Sequence, residues 1–386
     1  MMSNKMQLDS ASAQAPEPNS RRPGFLVYVG TYTAIPNLAG LKSEGIYVFR
    51  MDSVTGELTL LQVMGSVINP SFLAIHPNGK FLYAVNEVDQ SEGQPGGEVS
   101  AFSMEARTGK LTLLNHQLSQ GVDPCHLCVD ATGRYVLVAN YSSGNFSLLP
   151  VESDGRLLPA VDVVQHYGSG PDLDRQEGPH VHSVNLDPGN RFVLIADLGL
   201  DRLMVYRLDL EKGKFIPQGR AHVQGQTGSG PRHLDFHPNG RFVYLVNELN
   251  STLSVYEYSP TDGTLRVIQV VPTLPVGCAE INLSADVHVS PSGRFVYASN
   301  RGHDSLAIFA VDEESGRLAT IGHQATLGMT PRNFAIDLNG EYLLAANQDS
   351  GTIVTFRIEA KTGKLSPTGV VTQVPAPVCI KILSEA

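Results

Sequence analysis

One strand–turn–strand module recurs along this chain at intervals of about fifty residues, and a repeat of that period limits the folds open to it more than any other feature. The clearest copy is NPSFLAIHPNGKFLYAVNE from Asn69: an alternating strand, an Asn-Gly turn and a second strand. It returns as PCHLCVDATGRYVLVANY from Pro124, VHSVNLDPGNRFVLIADL from Val181 and PRHLDFHPNGRFVYLVNE from Pro231. Two more copies are SADVHVSPSGRFVYASNR from Ser284 and PRNFAIDLNGEYLLAANQ from Pro331. The aromatic that opens the second strand acts as a ruler: Phe81, Tyr135, Phe192, Phe242, Phe295 and Tyr342 are spaced by 54, 57, 50, 53 and 47 residues.

Phe25, in FLVYVGT, sits 56 residues before Phe81 and carries a second strand without a first. The missing strand is matched by Pro377-Val378-Cys379-Ile380-Lys381-Ile382 at the other end of the chain. A second hairpin follows each first one, as in GIYVFRMDSVTGELTLL from Gly45, NFSLLPVESDGRLLPA from Asn145 and SLAIFAVDEESGRLATI from Ser305. Four antiparallel strands per repeat, seven times over, predict an all-β seven-bladed β-propeller. A solenoid would need capped ends, whereas here N- and C-terminal strands complete one blade and close the ring. The propeller is expected over residues 24–386, behind a disordered tail of residues 1–23 rich in Ser, Ala, Pro and Gln.

The tail lacks an apolar run, and no later segment is long and apolar enough for a membrane helix. The expectation is a cytoplasmic monomer with no membrane partner. A net charge of −10 argues against nucleic acid, which needs clustered Lys and Arg, but leaves room for a small anion in a locally basic cleft. Cys125, Cys128, Cys278 and Cys379 are too dispersed for a disulfide framework. Cys125-His126-Leu127-Cys128 falls inside a repeat strand, where its two thiols point to different positions. His180 and His182 stand two apart without a partner set, and no Cys/His/Asp cluster has metal-ligand spacing. No metal or other cofactor is expected.

Equivalent repeat positions fall in rings around a propeller's channel. In each first hairpin, strand one begins at the rim where strand two ends. The first slot holds Ser71, Cys125, His182, Arg232, Ala285, Arg332 and Val378; the second holds Thr31, Glu87, Tyr141, Leu198, Glu248, Arg301 and Gln348. One mouth therefore collects His182, Glu87, Glu248, Arg232, Arg301 and Arg332. Three guanidinium forks suit a carboxylate or phosphate, and a histidine with a carboxylate supplies acid and base. The preceding slot (Asn86, Asn140, Asn247, Asn300 and Asn347 among its members) is expected to cap strand ends through backbone hydrogen bonds. An inserted loop, GSGPDLDRQE from Gly168, is expected to wall the cleft, with Arg175 or Gln176 reaching ligand.

Several segments carry a family resemblance. They are Asp174-Arg175-Gln176-Glu177-Gly178-Pro179-His180-Val181-His182-Ser183-Val184, Gly230-Pro231-Arg232-His233, Val246-Asn247-Glu248-Leu249-Asn250 and Ser299-Asn300-Arg301-Gly302-His303-Asp304-Ser305, with Ala196-Asp197-Leu198-Gly199-Leu200-Asp201. The chain resembles the bacterial propeller-type 6-phosphogluconolactonases and the related fungal carboxy-cis,cis-muconate cyclase over residues 24–384. The resemblance implies a metal-independent enzyme that opens or forms a lactone, with His182, Arg232, Arg301 and Glu248 as its catalytic set. Arg332, Glu87, His233, His303 and Gln348 are the expected substrate-binding residues. The leading expectation is hydrolysis of 6-phosphoglucono-1,5-lactone in the pentose phosphate pathway, with His182 or Glu248 activating water. Cycloisomerisation of a carboxylated muconate is the second. A non-catalytic scaffold is the third, against which stands the absence of Trp, the residue of Trp-Asp scaffold signatures.

Overall fold

Burial grades outward along each repeat, and that gradient builds the architecture. Phe242–Asn247, a second strand, is buried along its whole length, whereas the outermost strand of the same sheet, Leu265–Pro272, is nowhere fully buried. A sheet with two covered faces at its centre and a wet outer edge packs radially against identical neighbours. The computed structural model describes residues 24–34, 42–91 and 93–385. The tail of residues 1–23 lies outside them.

Seven four-stranded antiparallel sheets form the blades. Blade 1 runs from channel to surface through Leu73–Ile75, Phe81–Asn86, Glu98–Met104 and Leu111–Leu118. The inner strands of blades 2 to 6 are Pro124–Val129, Val181–Leu186, Pro231–Phe236, Leu283–Val289 and Pro331–Ile336. Blade 7 takes its inner strand, Pro377–Ser384, from the C-terminus and its next, Phe25–Thr31, from the N-terminus. They pair antiparallel from Phe25↔Ser384 to Thr31↔Pro377, which is the closure expected from the repeat.

The hairpin expected from Asn145 differs. Only an isolated bridge, Val151↔Leu157, follows the turn, and the outer strand of blade 2 is Asp162–Gln165. Pro150 and Pro159 flank this stretch and offer no N–H to a ladder.

Blades lock to one another through the aromatic ruler. The turn glycine of an outer hairpin covers a ring of the preceding blade, except that Gly109 meets Leu26: a Cβ on Gly155, Gly316 or Gly363 would fall 2.2, 2.4 or 2.4 Å from a ring carbon of Phe81, Phe242 or Phe295. A tyrosine two residues on donates its hydroxyl to the same glycine's carbonyl, Tyr83 to Gly155 at 3.1 Å, Tyr244 to Gly316 at 3.0 Å and Tyr297 to Gly363 at 2.8 Å. Each lock joins a buried ring to a satisfied hydroxyl, worth roughly 1.5–3 kcal/mol for the ring alone. Four of the slot asparagines cap strand ends as expected, whereas Asn247 donates to the Thr252 and Ser254 hydroxyls. Nδ2 of Asn86, Asn140, Asn300 and Asn347 donates to the carbonyls of Ile68, Ser119, Thr273 and Thr326.

Candidate active site

A β-bulge at the top of the inner strands builds the mouth. In blades 2, 3, 4 and 6 the register jumps across one residue, between Pro124 and His126, Val181 and Ser183, Pro231 and His233, and Pro331 and Asn333. The skipped residues are Cys125, His182, Arg232 and Arg332. An extra residue in one strand of a pair is turned out of the ladder and re-aimed. The fold therefore places the variable slot at the channel through a repeated irregularity. Residue alignment reaches these positions without showing that they are bulges.

At the centre stands Glu248, 3% exposed. Its Oε2 accepts from Arg232 Nε at 2.9 Å and lies 2.9 Å from Arg301 Nη2, while its Oε1 accepts from Arg175 Nη2 at 2.5 Å. Burial alone would raise the Glu248 pKa, but Arg301, Arg232 and Arg175 outweigh it and hold the carboxyl far below its ordinary range. The contact from Arg301 Nη2 is a charge contact only: it is out of line for a hydrogen bond, and that buried nitrogen has no hydrogen-bond partner among the described residues. Arg301 is steered instead through its Nε, which donates to Leu283 O at 3.2 Å. Arg232, 2% exposed, also donates from Nη1 to Ala285 O and meets His233 Nε2 at 3.3 Å.

His182 Nε2 lies 4.0 Å from Glu248 Oε2. Burial, then the positive field of Arg232, pushes the His182 pKa well below its ordinary value, so the imidazole is neutral at pH 7. Three blades round the ring, Glu87 accepts from Tyr32 OH at 2.9 Å and from Ser71 Oγ, and Arg332 Nη2 donates to the same Tyr32 hydroxyl at 2.9 Å. Burial raises the Glu87 pKa against the pull of Arg332. The mouth thus holds one carboxyl held down and another pushed up, a pattern typical of acid–base sites. Four guanidiniums face two carboxylates.

A family profile described as "Lactonase, 7-bladed beta-propeller" matches residues 26–382. The chain belongs to that family. It is 38% identical over 361 residues to a 6-phosphogluconolactonase of Bacillus subtilis, covering 94% of this chain and 99% of the relative. A Bacteroides fragilis crystal structure described as a candidate 6-phosphogluconolactonase superposes with a TM-score of 0.87 at 40% identity, covering 95% of this chain and 100% of that one. The periplasmic gluconolactonase of Pseudomonas aeruginosa gives a TM-score of 0.87 at 32% identity, covering 94% and 100%.

In this lactonase the inserted loop lies at the mouth, as expected, and it is Arg175 that enters the charge cluster. Gln176 turns inward, fully buried, and donates to Leu198 O and Asp201 Oδ1, both at 2.7 Å. His233 stands one layer below the mouth. Its Nδ1 bonds Asp286 Oδ1 at 2.8 Å, and its ring packs edge-on against His126 and His182, each 5.2 Å away. It supports Arg232 from beneath, with Nε2 3.3 Å from Arg232 Nη1. His303 lies on the turn beyond Arg301, with Nδ1 2.7 Å from Ser305 Oγ and its ring 6.0 Å from that of His323 on the outer strand of the same blade. Gln348 keeps its slot on the rim, with Oε1 buried and unpartnered among the described residues.

Tyr32, which bridges Glu87 and Arg332, escaped the residue alignment because it stands one position past the strand-end slot. The same slot rule extended by one residue would have found it. The thiols of Cys125 and Cys128 are free and separate as expected: Cys125 Sγ lies 3.4 Å from His182 O at the mouth, while Cys128 lines the opposite half of the channel. That half holds a cavity of about 410 Å³, lined among others by the packed rings of Phe72, His126 and His233. No helix among the described residues is long and apolar enough to cross a membrane.

Proposed function

We propose that this lactonase hydrolyses a phosphorylated sugar lactone, 6-phosphoglucono-1,5-lactone, at the mouth framed by Arg175, Arg232, Arg301 and Arg332. The observation that carries this reading is the surplus of guanidinium over carboxylate at the mouth, Arg232 and Arg301 almost wholly out of water and Arg175 and Arg332 half-buried, in a protein whose net charge is −10. A buried excess of positive charge calls for a bound anion. The names of the Bacillus subtilis and Bacteroides fragilis relatives support the phosphate, and the four unpaired cysteines support a cytoplasmic setting.

Hydrolysis needs a base for water, a cradle for the tetrahedral oxyanion and a proton for the departing ring oxygen. His182 is our base, because it is neutral at pH 7 and its imidazolium would form 4.0 Å from the Glu248 carboxylate. Glu248, locked by three arginines, is too weak a base for that task; it orients Arg232 and Arg301. Arg301, with an unfilled Nη2, faces the developing oxyanion. Glu87, whose pKa is raised, is our donor to the leaving oxygen. Every group comes from one chain, so a monomer suffices.

The test is steady-state hydrolysis of phosphorylated and unphosphorylated gluconolactone, with carboxymuconate as a third substrate. We expect kcat/KM for the phosphorylated lactone to exceed the others by at least about 100-fold, the scale of one charged contact pair. A preference for the unphosphorylated lactone would align this protein with the Pseudomonas aeruginosa relative's name and overturn the phosphate assignment. Muconate turnover alone would overturn hydrolysis itself.

A further inference from the structure

His303 meets two other donors on the rim. Cys278 and Glu280 belong to the loop that leads into the inner strand of blade 5, and their ligand atoms lie with that of His303 within 4.8 Å of one another. Thiolate, carboxylate and imidazole are the donor set of a tetrahedral zinc site, with three protein ligands and a fourth position open to water. Zinc bound by such a set spaces its ligand atoms about 3.5 Å apart, a distance within reach of small torsional adjustments, since Glu280 is exposed and the other two are half-buried.

A second observation bears on the same place. Residues 275–281 leave Val276 and Ile281 almost wholly in solvent, at 103% and 93% exposure, so apolar burial does not fix this loop. Its internal tie is a turn hydrogen bond, Cys278 N to Pro275 O at 3.1 Å. His303 approaches from the neighbouring turn with its backbone N–H on Asn282 Oδ1 at 3.2 Å, and Ser305 Oγ anchors its Nδ1, leaving Nε2 for a metal. A ligating histidine held through its other nitrogen is the usual supporting arrangement of zinc sites.

We infer that Cys278, Glu280 and His303 bind one zinc ion, which staples the rim loop to the turn after Arg301. Binding forms a zinc–sulfur bond and releases the Cys278 thiol proton to solvent, with no change in oxidation state. The staple sits next to the catalytic wall, because the loop runs into Leu283, whose carbonyl accepts from Arg301 Nε. It does not depend on the lactonase chemistry.

The experiment uses the full chain stripped with a chelator and titrated with Zn²⁺ against a chromogenic competitor, then with Co²⁺ followed by absorption. We expect one equivalent of Zn²⁺, a sulfur-to-cobalt charge-transfer band, and a melting temperature that rises with metal. Cys278→Ser should abolish that band and weaken Zn²⁺ binding at least about 10-fold, and His303→Gln should weaken it comparably. Both positions are partly exposed, so metal-free variants should melt with the wild type. Wild-type Co²⁺ spectra without a thiolate band, or Zn²⁺ affinity unchanged in both variants, would overturn the site. Neither readout involves substrate, so failure here leaves the proposed hydrolysis standing.

Discussion

Replacing Glu248 by glutamine tests the charge cluster more directly than any other change. Glutamine keeps the shape but puts an amide NH₂ where one oxygen meets guanidinium donors, and it removes the carboxylate that Arg232 and Arg301 share. Those two arginine side chains are 2% and 11% exposed, so neither is relieved by water; Arg175, at 35%, is partly screened and contributes less. Stranding buried charge in this way costs about 3–5 kcal/mol. For a chain of this size that is a melting temperature lower by roughly 4–6 °C. The folded pKa of Glu248 lies below its ordinary 4.5, so the carboxylate's contribution is complete above that pH and drains away as pH falls toward the folded value. The gap between wild type and Glu248→Gln should therefore be constant from about pH 6 to 8 and narrow below about pH 4.5. Because the variant leaves surplus positive charge, inorganic phosphate should stabilise it, by about 2.7 kcal/mol at a hundred times its dissociation constant. If His182 is the base, the acid limb of the kcat/KM profile should survive in the variant. Chemical denaturation and thermal melts across pH decide the matter. A cost under about 1 kcal/mol, or a gap that stays constant down to pH 3, would refute the clamp.

Three further outcomes follow from the geometry. Arg232→Lys should fold but lose about 30- to 1,000-fold in kcat/KM, because one ammonium cannot serve Glu248, Ala285 O and His233 together; near-wild-type kinetics in a folded variant would remove Arg232 from the site. Deleting residues 377–386 removes the inner strand of blade 7 and should leave the protein insoluble or melting far lower, while a truncation melting within a degree or two of wild type would refute closure. Gly316→Ala meets both a φ of 71° and the Phe242 ring at 2.4 Å, so a loss of about 2 kcal/mol or more is expected in denaturant; a neutral substitution would show that this blade lock carries little.

What the sequence made legible follows from how each feature is encoded. Blades, ring closure and the strand-end slots depend on period and register, which survive in a single chain because seven copies repeat the same choices. That is why Arg232, Glu248, Arg301 and His182 gather at one mouth from register alone. What stayed hidden depends on departures from the repeat. The bulges that turn Cys125, His182, Arg232 and Arg332 toward the axis have no residue signature beyond a proline at several strand starts, so alignment finds the position and not the cause. His303 marks the opposite case, since its motif neighbours Arg301 in sequence while its side chain meets Ser305 and His323. The roles of the two carboxyls were equally unreadable. Glu87 and Glu248 occupy the same repeat slot, yet one is raised by burial and the other is held down by three arginines, one of them from an insertion outside the repeat. Identical register thus places residues, and the unrepeated parts of this chain, Arg175 and Tyr32, decide what the placed residues do.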